Sequence, residues 1–279
     1  MTTRIDAHQH FWRLARGDYA WLTPALGTIH RDFMPADLAP LIAAAGVERT
    51  VLVQAAPTTA ETDFLLALGE GTPFVAGVVG WMDFEASDAR HRIGALAARP
   101  KLVGLRPMIQ DLADDRWMLN PNIAPALDAM IEEGLTFDAL VMPRHLPVLR
   151  EFVARHPGLD IVIDHGAKPA IADGGFDGWA RAIRALAAET RLTCKLSGLA
   201  TEAGPGWSIE TLKPYVEVLI EAFGADRLMW GSDWPVLNLA GDYAGWASAA
   251  EALTAGLSDD ERAAIFGQTA AVFYGLDRA

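Results

Sequence analysis

Short apolar, β-branched runs alternate along the chain with stretches in which apolar residues recur at helical spacing. The helical stretches, such as ADLAPLIAAAG and IAPALDAMIEEG, end at Gly or Pro, as helices commonly do. The apolar runs predict eight strands, at residues 3–10, 49–56, 74–81, 101–107, 135–141, 160–166, 192–198 and 227–234. This alternation is typical of parallel strands joined by crossover helices. Eight such strands predict one domain over residues 1–279, closed into a (β/α)8 TIM barrel.

An open, doubly wound sheet is the alternative fold with the same alternation. No G-x-G-x-x-G sequence follows the first strand and no Walker A sequence occurs, so the nucleotide-binding versions of that fold would lack their phosphate cradle. The most irregular segments are 12–34, 107–122 and 198–208, and each follows a predicted strand. In a barrel these segments lie on the face that carries the chemistry.

Composition narrows the class of partner. The 279 residues are 51% hydrophobic, and 23 Lys and Arg against 36 Asp and Glu give a net charge of -13. This charge disfavours nucleic acid and anionic membrane surfaces. The single Cys194 excludes an internal disulfide and a Cys-rich zinc site, and we interpret it as a buried structural thiol. No 18-residue apolar span or N-terminal apolar leader occurs, which predicts a cytoplasmic protein; a homo-oligomer stays open.

Polar side chains gather where the predicted strands end. In chain order these are His8 and His10, Gln54, Trp81 and Asp83, Arg106, Asp138, Asp164 and His165, Lys195 and Ser197, and Ser232 and Asp233. They are scattered in sequence, but the carboxyl ends of barrel strands surround one mouth. We therefore expect these residues to be neighbours.

The residues at the ends of the first and eighth strands are the strongest indication of a catalytic or metal site. His8 and His10 are two residues apart, so they point to the same side of a strand. The first and eighth strands are adjacent in a closed barrel. Asp233, in WGSDWP, could therefore share a metal, a proton or a water with both imidazoles, as a general base or as a ligand.

The whole chain resembles the amidohydrolase superfamily, in the amidohydrolase-2 branch that contains sugar lactonases and 2-pyrone-4,6-dicarboxylate lactonases. The resemblance lies in IDAHQHFW, ARGDYAWLTP, RDFMPADLAPLIAAAGV, TVLVQAAPTTAETDFLLAL, VVGWMDF, GLRPMIQD, VIDHGAKP, CKLSGL and MWGSDWP. It implies a distorted (β/α)8 barrel that hydrolyses a small cyclic ester, with Asp233 activating the water.

The resemblance does not decide whether the protein uses a metal ion. Many superfamily members add a Lys or Glu at the fourth strand, or a His at the fifth. Here these strands carry Arg106 and Phe137-Asp138, so a binuclear site is unsupported. One Zn²⁺ or Mn²⁺ ion could be held by the remaining donors, which are His8, His10, His165 and Asp233. The lactonase branch also includes enzymes that work without a metal, so metal-free catalysis is an equal alternative.

Lactone opening needs a base for the water and donors for the developing oxyanion. Asp233 can take the proton, and His8, His10 and His165 can hold the oxyanion directly or through a metal. No G-x-S-x-G nucleophile elbow occurs, and this chemistry needs none. Candidate substrate-binding residues are Arg106, Lys168, Trp12, Trp81, Gln54 and Asp138. His145 follows the fifth strand and could also reach the mouth.

The leading hypothesis is a sugar-lactone hydrolase acting on an L-fucono-, L-rhamnono- or galactono-lactone. A lactone isomerase on the same site is an alternative. A metal-dependent decarboxylase is another, although such relatives usually carry a fifth-strand His where this chain has Phe137-Asp138. A noncatalytic sugar-acid-binding barrel is disfavoured, because binding alone does not need Asp233 against three imidazoles.

Overall fold

The computed structural model describes residues 3–276 and contains the eight predicted strands. They are β1 Ile5–Gln9, β2 Arg49–Val53, β3 Val75–Gly80, β4 Leu102–Leu105, β5 Thr136–Ala139, β6 Ile161–Ile163, β7 Thr193–Leu196 and β8 Leu228–Trp230. Each strand is shorter than the apolar run that predicts it. Some of the predicted polar side chains, such as those of Arg106 and Asp233, follow the last residue of a strand, whereas those of His8, Asp138 and Lys195 belong to the strands themselves.

All eight strands pair in parallel, in the order β1 to β8. The barrel closes through the segment after β8, where Gln9 bridges Trp234. The backbone N–H of Asp233 donates to the His8 carbonyl over 2.8 Å, and that of His10 donates to the Trp234 carbonyl over 2.7 Å. The predicted barrel is confirmed and the open sheet is excluded.

Helices cover the outside of the barrel. They are α1 Pro35–Ala44, α2 Thr59–Gly71, α3 Ala89–Ala97, α4 Ala124–Glu133, α5 Leu146–Arg155, α6 Asp177–Glu189, α7 Leu199–Ala203, α8 Ile209–Phe223, α9 Tyr243–Leu253, α10 Asp259–Ala263 and α11 Thr269–Phe273. Local sequence sets several of their ends. Ser208, for example, begins α8 by accepting a hydrogen bond from the N–H of Thr211. Among residues 3–276 no helix combines the length and apolarity needed to span a bilayer.

The apolar core has two parts. The larger lies between the strands and the surrounding helices. The smaller fills the lower barrel with side chains such as Ile5, Val51, Val162 and Met229, and Tyr274 packs into it from the turn after α11. The polar side chains predicted at the strand ends lie above this packed floor.

Candidate active site

Three imidazoles face one carboxylate at the upper end of the barrel. Nε2 of His8 lies 3.2 Å from Nε2 of His10. Oδ1 of Asp233 lies 3.3 Å from Nε2 of His10, 3.8 Å from Nε2 of His8 and 3.9 Å from Nε2 of His165. All four side chains are buried. The structure thus brings together the residues that the sequence analysis assigned to catalysis.

Asp6, which the sequence analysis missed, holds β1 against the segment that carries Asp233. Its Oδ1 accepts hydrogen bonds from the backbone N–H groups of Ser232, at 2.8 Å, and His8, at 3.1 Å. Its Oδ2 accepts one from Tyr243 at 3.0 Å. Burial raises the pKa of this carboxyl to about 6. The sequence does carry a signal for this role, because Asp6 lies in a strand predicted to be buried, two residues before His8. A buried carboxyl needs hydrogen-bond donors around it.

Backbone strain is concentrated in the same place. Among the non-glycine residues that the structure describes, positive φ occurs at His165 (54°), Ala167 (61°), Lys168 (50°) and Asp233 (57°). Side-chain-bearing residues rarely adopt this conformation, and its clustering is typical of functional sites. Here it turns His165 and Asp233 toward each other from the ends of β6 and β8.

A buried lysine contacts His8 and two carboxylates on the side of the cluster that faces the barrel interior. The Nζ atom of Lys195 lies 2.6 Å from Asp138 Oδ2, 3.0 Å from Asp164 Oδ1 and 3.1 Å from Nδ1 of His8. Tyr274 donates a hydrogen bond to Asp138 over 2.7 Å. Burial and the nearby ammonium hold the pKa of His8 well below its usual range. His8 is therefore neutral and fixed in orientation.

The other two imidazoles are oriented by the contacts of their Nδ1 atoms. Nδ1 of His10 donates to the Val53 carbonyl over 2.8 Å, since a carbonyl can only accept, and its Nε2 faces the site. Nδ1 of His165 contacts Ser197 Oγ at 2.8 Å, and burial lowers the pKa of this imidazole to about 4. Burial alone would raise the pKa of Asp233, but the facing imidazoles bring it below its usual range. The carboxylate is ionised at neutral pH.

Arg106 and Gln54 bring unused hydrogen-bonding capacity to the site. Arg106 donates from Nη1 to Asp164 over 3.1 Å and from Nη2 to the Gln54 carbonyl, and Nη1 lies 3.4 Å from Nε2 of His8. Gln54 donates to the Arg106 carbonyl over 2.7 Å. The Arg106 Nε and Gln54 Oε1 atoms are buried without a hydrogen-bond partner among the described residues. Unpaired buried groups of this kind favour a polar ligand.

The predicted substrate-binding residues differ in how deeply their side chains are buried. Trp12 is fully enclosed, with its indole N–H donating to the Arg31 carbonyl over 2.7 Å. Asp138 is equally enclosed beneath Lys195. Trp81 and Lys168 are partly exposed. Direct substrate contact stays a prediction for all four, and in this conformation Trp12 and Asp138 act through the residues that they touch.

His145 lies apart from the three facing imidazoles. Its Nδ1 accepts from the backbone N–H of Met142 over 3.0 Å, and its Nε2 lies 3.1 Å from Asp115 Oδ1. These contacts cap the turn that leads into α5. A part in substrate binding therefore stays a prediction, while its capping role has geometric support.

The cluster fits a single divalent ion by donor type and spacing. His8, His165 and Asp233 each offer a ligand atom, all within 4.8 Å of one another. His8 is also close to two fixed cations, since Lys195 and Arg106 lie 3.1 and 3.4 Å from its two ring nitrogens. Their positive charges oppose another cation there. The site can hold an ion, but at an electrostatic cost.

A (β/α)8 barrel with His-x-His on its first strand and a facing Asp after its eighth defines a hydrolase of the amidohydrolase type. The family model described as Amidohydrolase matches residues 5–276, and the chain belongs to this family. It is 52% identical to an L-fucono-1,5-lactonase from Burkholderia ambifaria, covering 100% of this chain and 97% of the relative. It is 38% identical to an L-fucono-1,5-lactonase from Burkholderia multivorans, covering 98% and 96%. A crystal structure of an amidohydrolase from Burkholderia multivorans with bound Zn superposes with a TM-score of 0.93 at 38% identity, covering 98% of this chain and 99% of that one.

Proposed function

We propose that the protein hydrolyses a sugar lactone, with an aldono-1,5-lactone of the L-fucono series as its substrate. The observation that carries this proposal is the ionised Asp233 facing three imidazoles, 3.3 to 3.9 Å away. This arrangement provides a proton acceptor beside groups that can hold an oxyanion. The activity named for the two Burkholderia lactonases supports the choice of substrate.

The reaction begins with proton transfer from water to Asp233. The hydroxide so formed adds to the lactone carbonyl carbon, and negative charge develops on the carbonyl oxygen. The bond from this carbon to the ring oxygen then breaks, and the carbonyl re-forms as a carboxylic acid. Asp233 returns its proton to the leaving ring oxygen, which stays tethered to the product. One water is consumed and no covalent enzyme intermediate is needed.

Stabilisation of the oxyanion falls to donors already fixed in place. Arg106 presents the unpartnered Nε–H, and its position is set by Asp164 and the Gln54 carbonyl. Donors that need no reorganisation during the reaction contribute most to catalysis. A Zn²⁺ or Mn²⁺ ion, when bound by His8, His165 and Asp233, would supply Lewis-acid polarisation of the carbonyl.

A pH-indicator assay tests the proposal, because hydrolysis releases an acid whereas isomerisation does not. The substrates are aldono-1,4- and aldono-1,5-lactones, tested with wild type, Asp233→Asn and the surface control Asp63→Asn, each with and without chelator. We expect acid release by wild type and by Asp63→Asn, and a loss of about 10²- to 10⁴-fold in kcat/KM for Asp233→Asn. Absence of acid release from every lactone, or full activity of Asp233→Asn, would overturn the proposal.

A further inference from the structure

Lys168 and Glu202 form an ion pair that belongs to neither the catalytic cluster nor the buried charges beneath it. Nζ of Lys168 lies 3.7 Å from Oε1 of Glu202, and the two side chains are 23% and 25% exposed. Their backbones belong to the loop after β6 and to α7, which follows β7. The separation is longer than a hydrogen bond, so both groups retain hydrogen-bonding capacity.

The strained turn after β6 sets the position of Lys168 relative to the catalytic cluster. His165, Gly166, Ala167 and Lys168 have φ values of 54°, 57°, 61° and 50° in succession. A left-handed conformation is unfavourable for each residue that has a Cβ. Ala167 is fully buried and locks the turn. The same backbone feature that orients His165 therefore fixes Lys168 three residues later.

Glu202 is held from α7 against the segment that follows this turn. Its carbonyl accepts a hydrogen bond from the N–H of Ala172 over 3.2 Å, and its N–H donates to the Gly198 carbonyl over 3.1 Å. Burial raises the pKa of the Glu202 carboxyl, Lys168 opposes this, and the negative charge of Asp233 raises it further. Glu202 thus lies within the electrostatic field of the proposed base.

A partly exposed ammonium beside a partly exposed carboxylate offers a donor and an acceptor at one place. Neighbouring hydroxyl groups match this arrangement, since each hydroxyl both donates and accepts. An apolar ring would leave both charges without partners, and a second anion would be repelled by Glu202. We propose that Lys168 and Glu202 form the subsite that recognises ring hydroxyls of the lactone, which rests on the lactonase function proposed above.

The test compares two 1,5-lactones that share a ring and differ in hydroxyl content. L-Fucono-1,5-lactone carries ring hydroxyls and δ-valerolactone carries none. Loss of a polar contact to a substrate hydroxyl lowers kcat/KM only for the substrate that has it. We expect Glu202→Gln and Lys168→Met each to lower kcat/KM for the sugar lactone by about 10- to 100-fold and to lower δ-valerolactone hydrolysis by a much smaller factor. The double variant should lose less than the product of the two single losses, because the residues act together.

Lys213 and Glu217 provide a matched control pair, since they lie 3.8 Å apart with side chains 62% and 63% exposed. Lys213→Met and Glu217→Gln should keep the wild-type preference between the two lactones. An equal loss on both lactones, or an unchanged preference in both subsite variants, would overturn the subsite. Failure of wild type to open either lactone would instead overturn the proposed function. Thermal unfolding of each variant checks that the fold is retained.

Discussion

Gly198 lies directly behind His165, which makes Gly198→Ala a sharp test of how the imidazole is held. A Cβ at this position would lie 2.7 Å from Cγ and Nδ1 of His165 and 2.8 Å from its Cβ. Real Cβ contacts essentially never fall below 3.0 Å, and ordinary contact begins at 3.4 Å. The imidazole would therefore have to retreat by about 0.7 Å, the difference between 3.4 and 2.7 Å.

A displacement of this size should affect both catalysis and folding. A misplacement of about 1 Å in an active site can cost about 100-fold in rate, so we expect kcat to fall by about 10- to 100-fold. The shift would also strain the 2.8 Å contact between Nδ1 of His165 and Ser197 Oγ. Stability should fall by roughly 1–2 kcal/mol from the left-handed backbone, since Gly198 has φ +68°. Overpacking adds about 1–3 kcal/mol.

Gly134→Ala separates the backbone cost from the steric clash. Gly134 has φ +67°, almost that of Gly198, but a Cβ there meets nothing within 4 Å. This variant should lose only the backbone contribution to stability and keep the wild-type kcat. The assays are lactone hydrolysis at saturating substrate and thermal unfolding of both variants. If Gly198→Ala retains the kcat of Gly134→Ala, the close approach to His165 does not matter and the reasoning is refuted.

Three further predictions concern buried charge. Lys195→Met should lower the free energy of unfolding by about 3–5 kcal/mol, because it leaves two buried carboxylates without their ammonium. The surface control Lys213→Met should change it by less than about 0.5 kcal/mol, and equal losses in denaturant unfolding would contradict the buried network. Calorimetric titration of Zn²⁺ into chelator-treated protein should show an affinity that is lower by roughly tenfold or more in Asp233→Asn than in wild type. An unchanged affinity would mean that the ion binds elsewhere. Burial raises the pKa of Glu61 to about 7 from an ordinary 4.5, so the folded state holds a proton that the unfolded state releases between these values. Stability should then fall as pH rises through this window, by about 3 kcal/mol relative to Glu61→Gln. Parallel stability curves for wild type and Glu61→Gln would rule this out.

The barrel could be predicted because its information is local and repeated. A short run of β-branched residues predicts each strand, and the helical stretch between two runs predicts that the strands are parallel. Barrel geometry then makes His8 and Asp233 neighbours although they are far apart in the chain. The eighth strand is short, and the barrel closes through backbone hydrogen bonds outside β8, made by Asp233 and Trp234.

The depth of each polar residue could not be predicted in the same way. Lys195 and Asp138 follow the same strand-end pattern as Arg106, yet they pair with each other at full burial whereas Arg106 keeps a free N–H. Whether a strand-end charge faces a substrate or a partner depends on residues that lie on other strands. Glu202 lies in the irregular segment after β7, where no period marks it. The identity of residue 165 as a histidine likewise does not predict its positive φ.

The strained backbone and the buried charges depend on each other. A His or Asp in a left-handed conformation persists only where its surroundings permit no alternative. The contacts of Lys195 with Asp138, Asp164 and His8 provide such surroundings, because removing Lys195 would leave two buried carboxylates without their ammonium in the barrel interior. Tyr274 extends this chain of contacts to the packed lower end of the barrel through its hydrogen bond to Asp138. The imidazoles are thus held from both sides, by strain in the loops above and by paired charges below, which is the rigidity that a preformed oxyanion site requires.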